Sequence, residues 1–435
     1  TQSRSSAASD VYKRQGDRDG GDTYSYGVLK STDGGETWNT TGLSFSVSQT
    51  IRAGGLYINP LNTEIVVAAT RNVIYRTTNG GTTWTGIQSG TFNMLAPDPS
   101  NPNKIFAGTT GTTRIWRSTD FGASWTQLSS GLPSININRV EIVVSPQDSN
   151  YVYAVYSASN NGFGGLYQST DGGDTWTQKS STPNILGSNA SGNGSGGQGW
   201  YDLAIAVSPT NKNQVFVGGV NLWRSNNQGG GWICVGSGYS SSVPYVHPDI
   251  HYFKFQPVTN ALYTASDGGI FKTTNTGNSW TPLYNNMNIT QYYKISQSVT
   301  NSTMIMGGAQ DNGTHLKTGT FWDFVNGGDG MDNAIDPDNN MIMYASSQYG
   351  NFRKSVNGGL SFYNMSGLTP NGSGNWVTPL QIDPSNASTV YIGFDRLWRS
   401  NNKGSTWAPT SGQTVGTGNI DIIGVAPSDG QVIYV

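Results

Sequence analysis

The residues with chemical potential gather in the middle of the chain. In VHPDIH, His247, Asp249 and His251 alternate, and in an extended backbone a period of two sets all three on one side. Two of the three histidines around one aspartate could make a hydrogen-bonded, pH-sensitive group or part of a divalent-metal shell. His-Pro-Asp is equally good turn sequence and no fourth ligand accompanies it, so neither a metal nor a cofactor is expected. A second set of acids, Asp267 (ASDGGIFKT), Asp311 (GAQDNGTHLKT, beside Gln310) and Asp395 (GFDRLWRS), occupies comparable points in their repeats. The glycines of AQDNG, and of GGDGMD around Asp329, allow either close backbone approach to a ligand or simply tight turns.

Aromatic residues narrow the choice. Of thirteen tryptophans, seven end an eight-residue motif, Trp322 ends a degenerate copy of it, and Trp116, Trp223 and Trp398 share one strand position. Trp200 and Trp376 have no such role, and an exposed indole before a strand offers a stacking surface for the apolar face of a sugar. Counting back eight residues from the proline after each first strand gives Arg52, Thr91, Asn138, Tyr201, Asp249, Asp329, Trp376 and Asn419. None is aliphatic, which suits either a polar and aromatic ring at a channel mouth or a set of solvated loop ends.

What must position these groups is a repeat. STDGGETW (31–38), TTNGGTTW (77–84), STDFGASW (118–125), STDGGDTW (169–176), SNNQGGGW (225–232), TTNTGNSW (273–280), SVNGGLSF (355–362) and SNNKGSTW (400–407) recur, with HLKTGTFW (315–322) as the degenerate copy. Starts lie 40 to 56 residues apart, the period of four-stranded propeller blades. Within a unit the pattern predicts strands at Leu203–Ser208, Gln214–Gly218 and Leu222–Arg224, and again at Ala261–Ala265 and Ile270–Lys272. The Asp or Asn at the third position of the motif can accept backbone amides of the glycine turn that follows.

Composition sets outer bounds. The 435 residues carry a net charge of −2 with 11% charged residues, which gives no electrostatic reason to expect nucleic acid. No apolar run is long enough for a bilayer span, so membrane insertion is not expected. A single cysteine, Cys234, excludes an internal disulfide. The opening TQSRSSAASDVYKRQ matches no repeat, and residues 1–16 read as a non-native or disordered leader. Blades are expected over 17–199, then over 200–435, where the candidate site lies and the repeat stops part-way through a unit. The tract Gly187–Gly199 reads as a crossing between propellers or an enlarged surface loop.

The eight-residue motif resembles the Asp-box (BNR) repeat. The resemblance covers the chain from about residue 22 and implies an all-β fold: a β-propeller of four-stranded blades with Asp-box turns, as a fragment of tandem seven-bladed propellers. Asp boxes are structural in sialidases, xyloglucanase-type hydrolases and sortilin-like receptors alike, so they do not select a function. A sialidase is disfavoured: it needs a glutamate to polarise a tyrosine nucleophile, and only Glu36, Glu64 and Glu141 occur. Xyloglucanase-type enzymes use two aspartates as acid and base, and SDGGIFKT resembles the Asp-Gly-Gly-aromatic neighbourhood that carries one of them. That resemblance points to Asp267, with Asp249, Asp311 and Asp329 as candidate partners. An inverting pair would stand about 6.5–9.5 Å apart. Trp200, Tyr201, Trp376, His247, His251, Gln310 and Arg52 are the expected substrate-binding residues. The chain also resembles secreted Bacteroidetes-type Asp-box proteins. The expectation is an extracellular or cell-surface propeller that binds polysaccharide or another glycan, with hydrolysis as its enzymatic form. The alternative is a non-catalytic protein-binding (sortilin-like) or adhesin propeller.

Overall fold

Short runs of β-branched and aromatic residues, each cut off by Gly, Asn, Asp or Pro, leave room for strands of four to eight residues and little else. A computed structural model describes residues 26–435 apart from 112–113, 135, 285–286, 288–289, 411–413, 415 and 417; the leader at 1–16 lies outside the described residues. Among the described residues there are eight four-stranded sheets and two two-stranded ones, and every strand pairs antiparallel with its sequence neighbour. The sheets are propeller blades. The chain divides into two compact units, 1–285 and 286–435.

In the first unit five blades follow a two-stranded sheet. Their first strands, Ala53–Ile58, Phe92–Pro97, Ile137–Val144, Ala204–Ser208 and Ile250–Phe255, neighbour one another in that order. The cores lie between blades. Phe106, Tyr156 and Trp176 close one layer, and Phe216, Phe253 and Phe271 another. Phe106 and Phe216 are fully buried, each contributing roughly 1.5–3 kcal/mol relative to an exposed position. The expected strand Gln214–Gly218 extends back to Asn211, because Asn211 pairs with Ser208 across a bulge. The other strands of these two repeats fall within a residue of expectation: Leu222–Ser225, Leu262–Ser266 and Gly269–Thr273.

The motif turns are made by side chains. In STDGGDTW, Ser169 donates to Asp171 (2.6 Å) and accepts the Gly173 amide (2.8 Å). Asp171 accepts the amides of Asp174 and Thr175 (both 3.0 Å), and the Trp176 indole donates to Gly173 O. Gly172 and Gly173 have φ of 75° and 101°, a region a side chain would strain. Motifs with asparagine build the same turn: Asn79 accepts the Thr83 amide and its own amide donates to the Thr83 hydroxyl.

The second unit holds three blades, with first strands Tyr292–Gln297, Asn333–Ile335 and Leu380–Ile382, and a two-stranded sheet. Tyr344, Ile392 and Trp398 centre its largest core. HLKTGTFW proves not to be a motif turn. Strands Gly313–Thr318 and Phe321–Asn326 meet in a two-residue hairpin at Gly319 (φ 65°). Lys317, at the motif's acceptor position, cannot accept amides, so the local network has nothing to form around. Trp322 instead stacks on Tyr292 and stays half exposed.

Candidate functional site

The first unit brings six of the sequence-derived residues into one cluster. Three segments supply them: the turn 198–202 ahead of Ala204–Ser208, the segment 246–251 leading into Ile250–Phe255, and the hairpin at Asp267–Gly268. Gln198 O accepts the amides of Tyr201 (2.7 Å) and Asp202 (3.0 Å), which curls the turn. Arg139, reaching from the neighbouring blade, donates to the carbonyls of Trp200 (3.3 Å), Tyr201 (2.9 Å) and Leu203 (3.4 Å). Glu141 holds that guanidinium at 2.9 Å. The turn is therefore clamped from below, and its side chains face the next blade.

Asp267 is at the centre. Tyr201 Oη donates to its Oδ2 (2.7 Å), and His251 Nε2 stands 2.9 Å from its Oδ1. The Tyr201 and His251 rings meet edge to face with centroids 4.8 Å apart, and Trp200 tilts against Tyr201 at 5.5 Å. The Asp267 side chain is only 2% exposed, so this carboxylate is fixed and largely removed from solvent. Trp200 is 48% exposed beside it.

Asp249 stands next to Asp267, a carboxylate oxygen of each lying within 4.8 Å of the other. Gln198 Nε2 donates to Asp249 Oδ1 (2.9 Å). Burial raises the Asp249 proton affinity above the ordinary carboxylate range and the charge of Asp267 raises it further, partly opposed by Asp202, His251 and His247. The extended VHPDIH segment is not found. Asp249 has φ of 65°, which breaks the period-two alternation after Pro248. His251 meets Asp267, whereas His247 Nδ1 lies 3.2 Å from Pro248 O. The His247 ring packs on Gly268, where a Cβ would fall 2.1 Å from it; no other residue fits that hairpin with the imidazole in place.

Sequence reading missed Asp202. Its place beside Tyr201, just before an apolar strand, was the available signal. It is 0% exposed, and burial first, then the Asp249 charge, drives its proton affinity well above the ordinary range. The tract Gly187–Gly199 is an enlarged loop of this unit, tied back by Asn184 to Gly196 O (2.8 Å). A groove of about 380 Å³ between this loop and Tyr239 runs to Gln198. Arg52 lies elsewhere in the unit, at the start of its first four-stranded blade, its carbonyl accepting the Arg71 amide.

The remaining candidates belong to the second unit. Asp329 is buried and accepts the Asp311 amide (2.6 Å) and the side-chain amide of Gln348, so both oxygens hold loops together. Asp311 sits in its hairpin with φ of 58°. The amide of Gln310 donates to Gln291 O (3.0 Å). Trp376 is half-buried, donates to Tyr293 Oη (3.0 Å) and packs edge-on against Tyr349. A groove of about 370 Å³ in this unit is lined by Lys294, Ser296, Asp332, Asn333 and Gln381 and by none of the expected residues.

A xyloglucanase of Hypocrea jecorina is 26% identical over 254 residues, 49% of this chain and 29% of that protein. Xyloglucanase Xgh74A of Acetivibrio thermocellus is 25% identical over 284 residues, 59% of this chain and 28% of that one. Among solved structures, an ancestral GH74 enzyme superposes with a TM-score of 0.54 at 16% identity, covering 94% of this chain and 70% of that one. The fold is that of a glycoside-hydrolase-like propeller. The Sortilin-Vps10 model ("Sortilin, neurotensin receptor 3") matches residues 72–185, within the blades that precede the cluster. The chain spans less than a third of the length of the curated relatives it matches. Among the described residues no helix is long and apolar enough to cross a membrane.

Proposed function

We propose that the loop face of the first unit binds a polysaccharide of the β-glucan class outside the cell or at its surface, and that Asp249 donates the proton in its hydrolysis. The observation that carries this reading is the pairing of a half-buried Asp249, of raised proton affinity, with an Asp267 held by Tyr201 and His251. A carboxyl of raised proton affinity beside a carboxylate held by hydrogen-bond partners is a usual basis for dividing acid from anion. Asp249 passes a proton to the leaving glycosidic oxygen as the C–O bond breaks, and the neighbouring charge of Asp267 raises the proton affinity with which it takes that proton up.

The separation limits the roles. One oxygen of each carboxyl lies within 4.8 Å of the other, and Asp267 is already held by Tyr201 and His251. Asp267 is therefore assigned the anion beside the acid, and the activation of water falls to another group. The exposed indole of Trp200 and the groove between Tyr239 and Gln198 offer the stacking surface and the space for sugar units. Xyloglucan is the first substrate to test, because the curated relatives are named xyloglucanases. A protein-binding reading draws on the match over residues 72–185, which ends before Gln198 and leaves the carboxyl cluster unexplained.

The test pairs depletion of soluble xyloglucan with reducing-end release. Asp249→Asn, which suits a left-handed backbone, should retain depletion and lose hydrolysis by about 10²–10⁴-fold, the usual share of acid–base catalysis. Trp200→Ala should weaken depletion with unchanged stability. Full hydrolysis by the Asp249→Asn protein would remove Asp249 from the mechanism.

A further inference from the structure

Asp202 is a buried acid that, among the described residues, has no ion pair and no side-chain N–H donor of its own. Beside its carboxyl stand its own backbone amide and, in hydrogen-bond contact, another carboxyl, that of Asp249. Two carboxylates cannot share a hydrogen bond unless one carries a proton. A fully buried anion with no side-chain donor is far costlier than a neutral acid. Asp202 is the more buried of the two, while Asp249 already receives the Gln198 amide on Oδ1. The proton therefore resides on Asp202.

We propose that Asp202 is held as a neutral carboxylic acid whose hydroxyl donates to Asp249, making it the positioning residue that, with Gln198, orients the proton donor. The proposal rests on the reading of Asp249 given above for its functional part only. Of the charged and titratable groups of the first unit, Asp267, His251 and His247 face Asp249, and Arg139 lies near Asp202. Arg139 is committed to Glu141 and to three carbonyls of the turn. It braces the backbone that carries Asp202 and forms no ion pair with it. A carboxylic acid kept protonated in an apolar site so that it can donate a hydrogen bond is an established device in enzyme sites.

The experiment compares wild type with Asp202→Asn and Asp202→Ala. The asparagine keeps a donor and cannot titrate; the alanine removes both. In difference infrared spectra at neutral pH, the carbonyl stretch of a neutral carboxylic acid should be present in wild type and absent from Asp202→Asn. In pH-dependent unfolding, a group with raised proton affinity in the fold contributes stability below its unfolded value and loses it as pH rises. Asp202→Asn should therefore gain on wild type with rising pH from about pH 4, by up to about tenfold in folding equilibrium constant per pH unit until Asp202 ionises in the fold. With xyloglucan, Asp202→Ala should move the pH–rate limb governed by Asp249 upward, since a donor to its carboxylate is gone, and Asp202→Asn should leave that limb in place. A pH-independent stability difference together with no lost carbonyl band would overturn the proposal. If wild type hydrolyses no polysaccharide, the proposed function fails, and the infrared and unfolding arms still decide the state of Asp202.

Discussion

The motif turns hold this fold together through acceptor geometry, and charge is secondary to them; Asp171 allows the two to be separated. Its carboxylate accepts the Ser169 hydroxyl, the amides of Asp174 and Thr175, and the Thr175 hydroxyl. Truncation to alanine removes all four bonds. At a net value of about 0.5–1.5 kcal/mol for a typical bond, the sum would reach several kcal/mol, but the turn is exposed and water replaces much of it. About 2 kcal/mol is expected for Asp171→Ala. Asp171→Asn should stay within about 0.5 kcal/mol. The asparagine oxygen accepts the amides and its nitrogen donates to the Thr175 hydroxyl, as Asn402 already does with Thr406. Acid separates the pair further. Bonds from Ser169, then from Thr175, hold the Asp171 carboxyl below the ordinary range. Its charge-linked contribution is thus complete above the unfolded value near pH 4 and is lost as pH falls through the lower folded value. The small advantage of aspartate over asparagine should vanish in acid. Urea midpoints at constant slope measure all three proteins. An asparagine variant as unstable as the alanine one would show that charge, not geometry, makes the turn.

Other perturbations probe the site and the second unit. Tyr201→Phe removes a side chain hydrogen-bonded to a buried carboxylate and should destabilise the first unit by about 1.5–3 kcal/mol, the range for bonds to charged groups, measured by chemical unfolding. Gly268→Ala drives a methyl into the His247 ring; about 1–3 kcal/mol of overpacking strain and weakened polysaccharide depletion are expected. In the second unit, Lys403 Nζ lies 2.9 and 2.8 Å from the two oxygens of Asp336, which is 0% exposed. Lys403→Ala leaves that carboxylate with only the amides of Asp338 and Asn339, and a loss of about 3 kcal/mol follows for a broken buried pair, read as a lowered thermal midpoint.

The fold was legible because its information is local. Each motif carries its own turn: a hydroxyl two residues before an acceptor, glycines where φ is positive, and an indole to close. Strand positions follow once the turns are placed, and Leu222–Ser225 and Gly269–Thr273 agree with expectation to within a residue. HLKTGTFW misled because a tryptophan and a glycine at the right spacing imitate the motif without the acceptor that nucleates it. The segment around Gly187–Gly199 was ambiguous for the opposite reason. Its closure depends on bonds made at a distance, from Asn184 to carbonyls ten and twelve residues away and from Asn221 to the Gly187 and Ser188 carbonyls.

The site was half legible, and the missing half shows what pattern reading cannot reach. Asp267 stood out through its hairpin, Trp200 by having no structural duty, and Tyr201 and Asp249 by register. Their convergence through Gln198 and Arg139 depends on contacts between successive blades, which no spacing encodes. VHPDIH read as an alternating strand because His247 and His251 flank Asp249 at even spacing. The left-handed φ of Asp249 sends His251 to Asp267 and His247 to Gly268, and a proline before an aspartate was the one local sign of such a break. Asp202 was passed over for a more general reason. A titratable residue at the start of an apolar strand reads as the last polar residue of a loop, and only burial reveals that it has no water to ionise into. The most consequential acid of a site can therefore be the one whose sequence context is most ordinary, and it is found by asking which buried oxygens lack a donor.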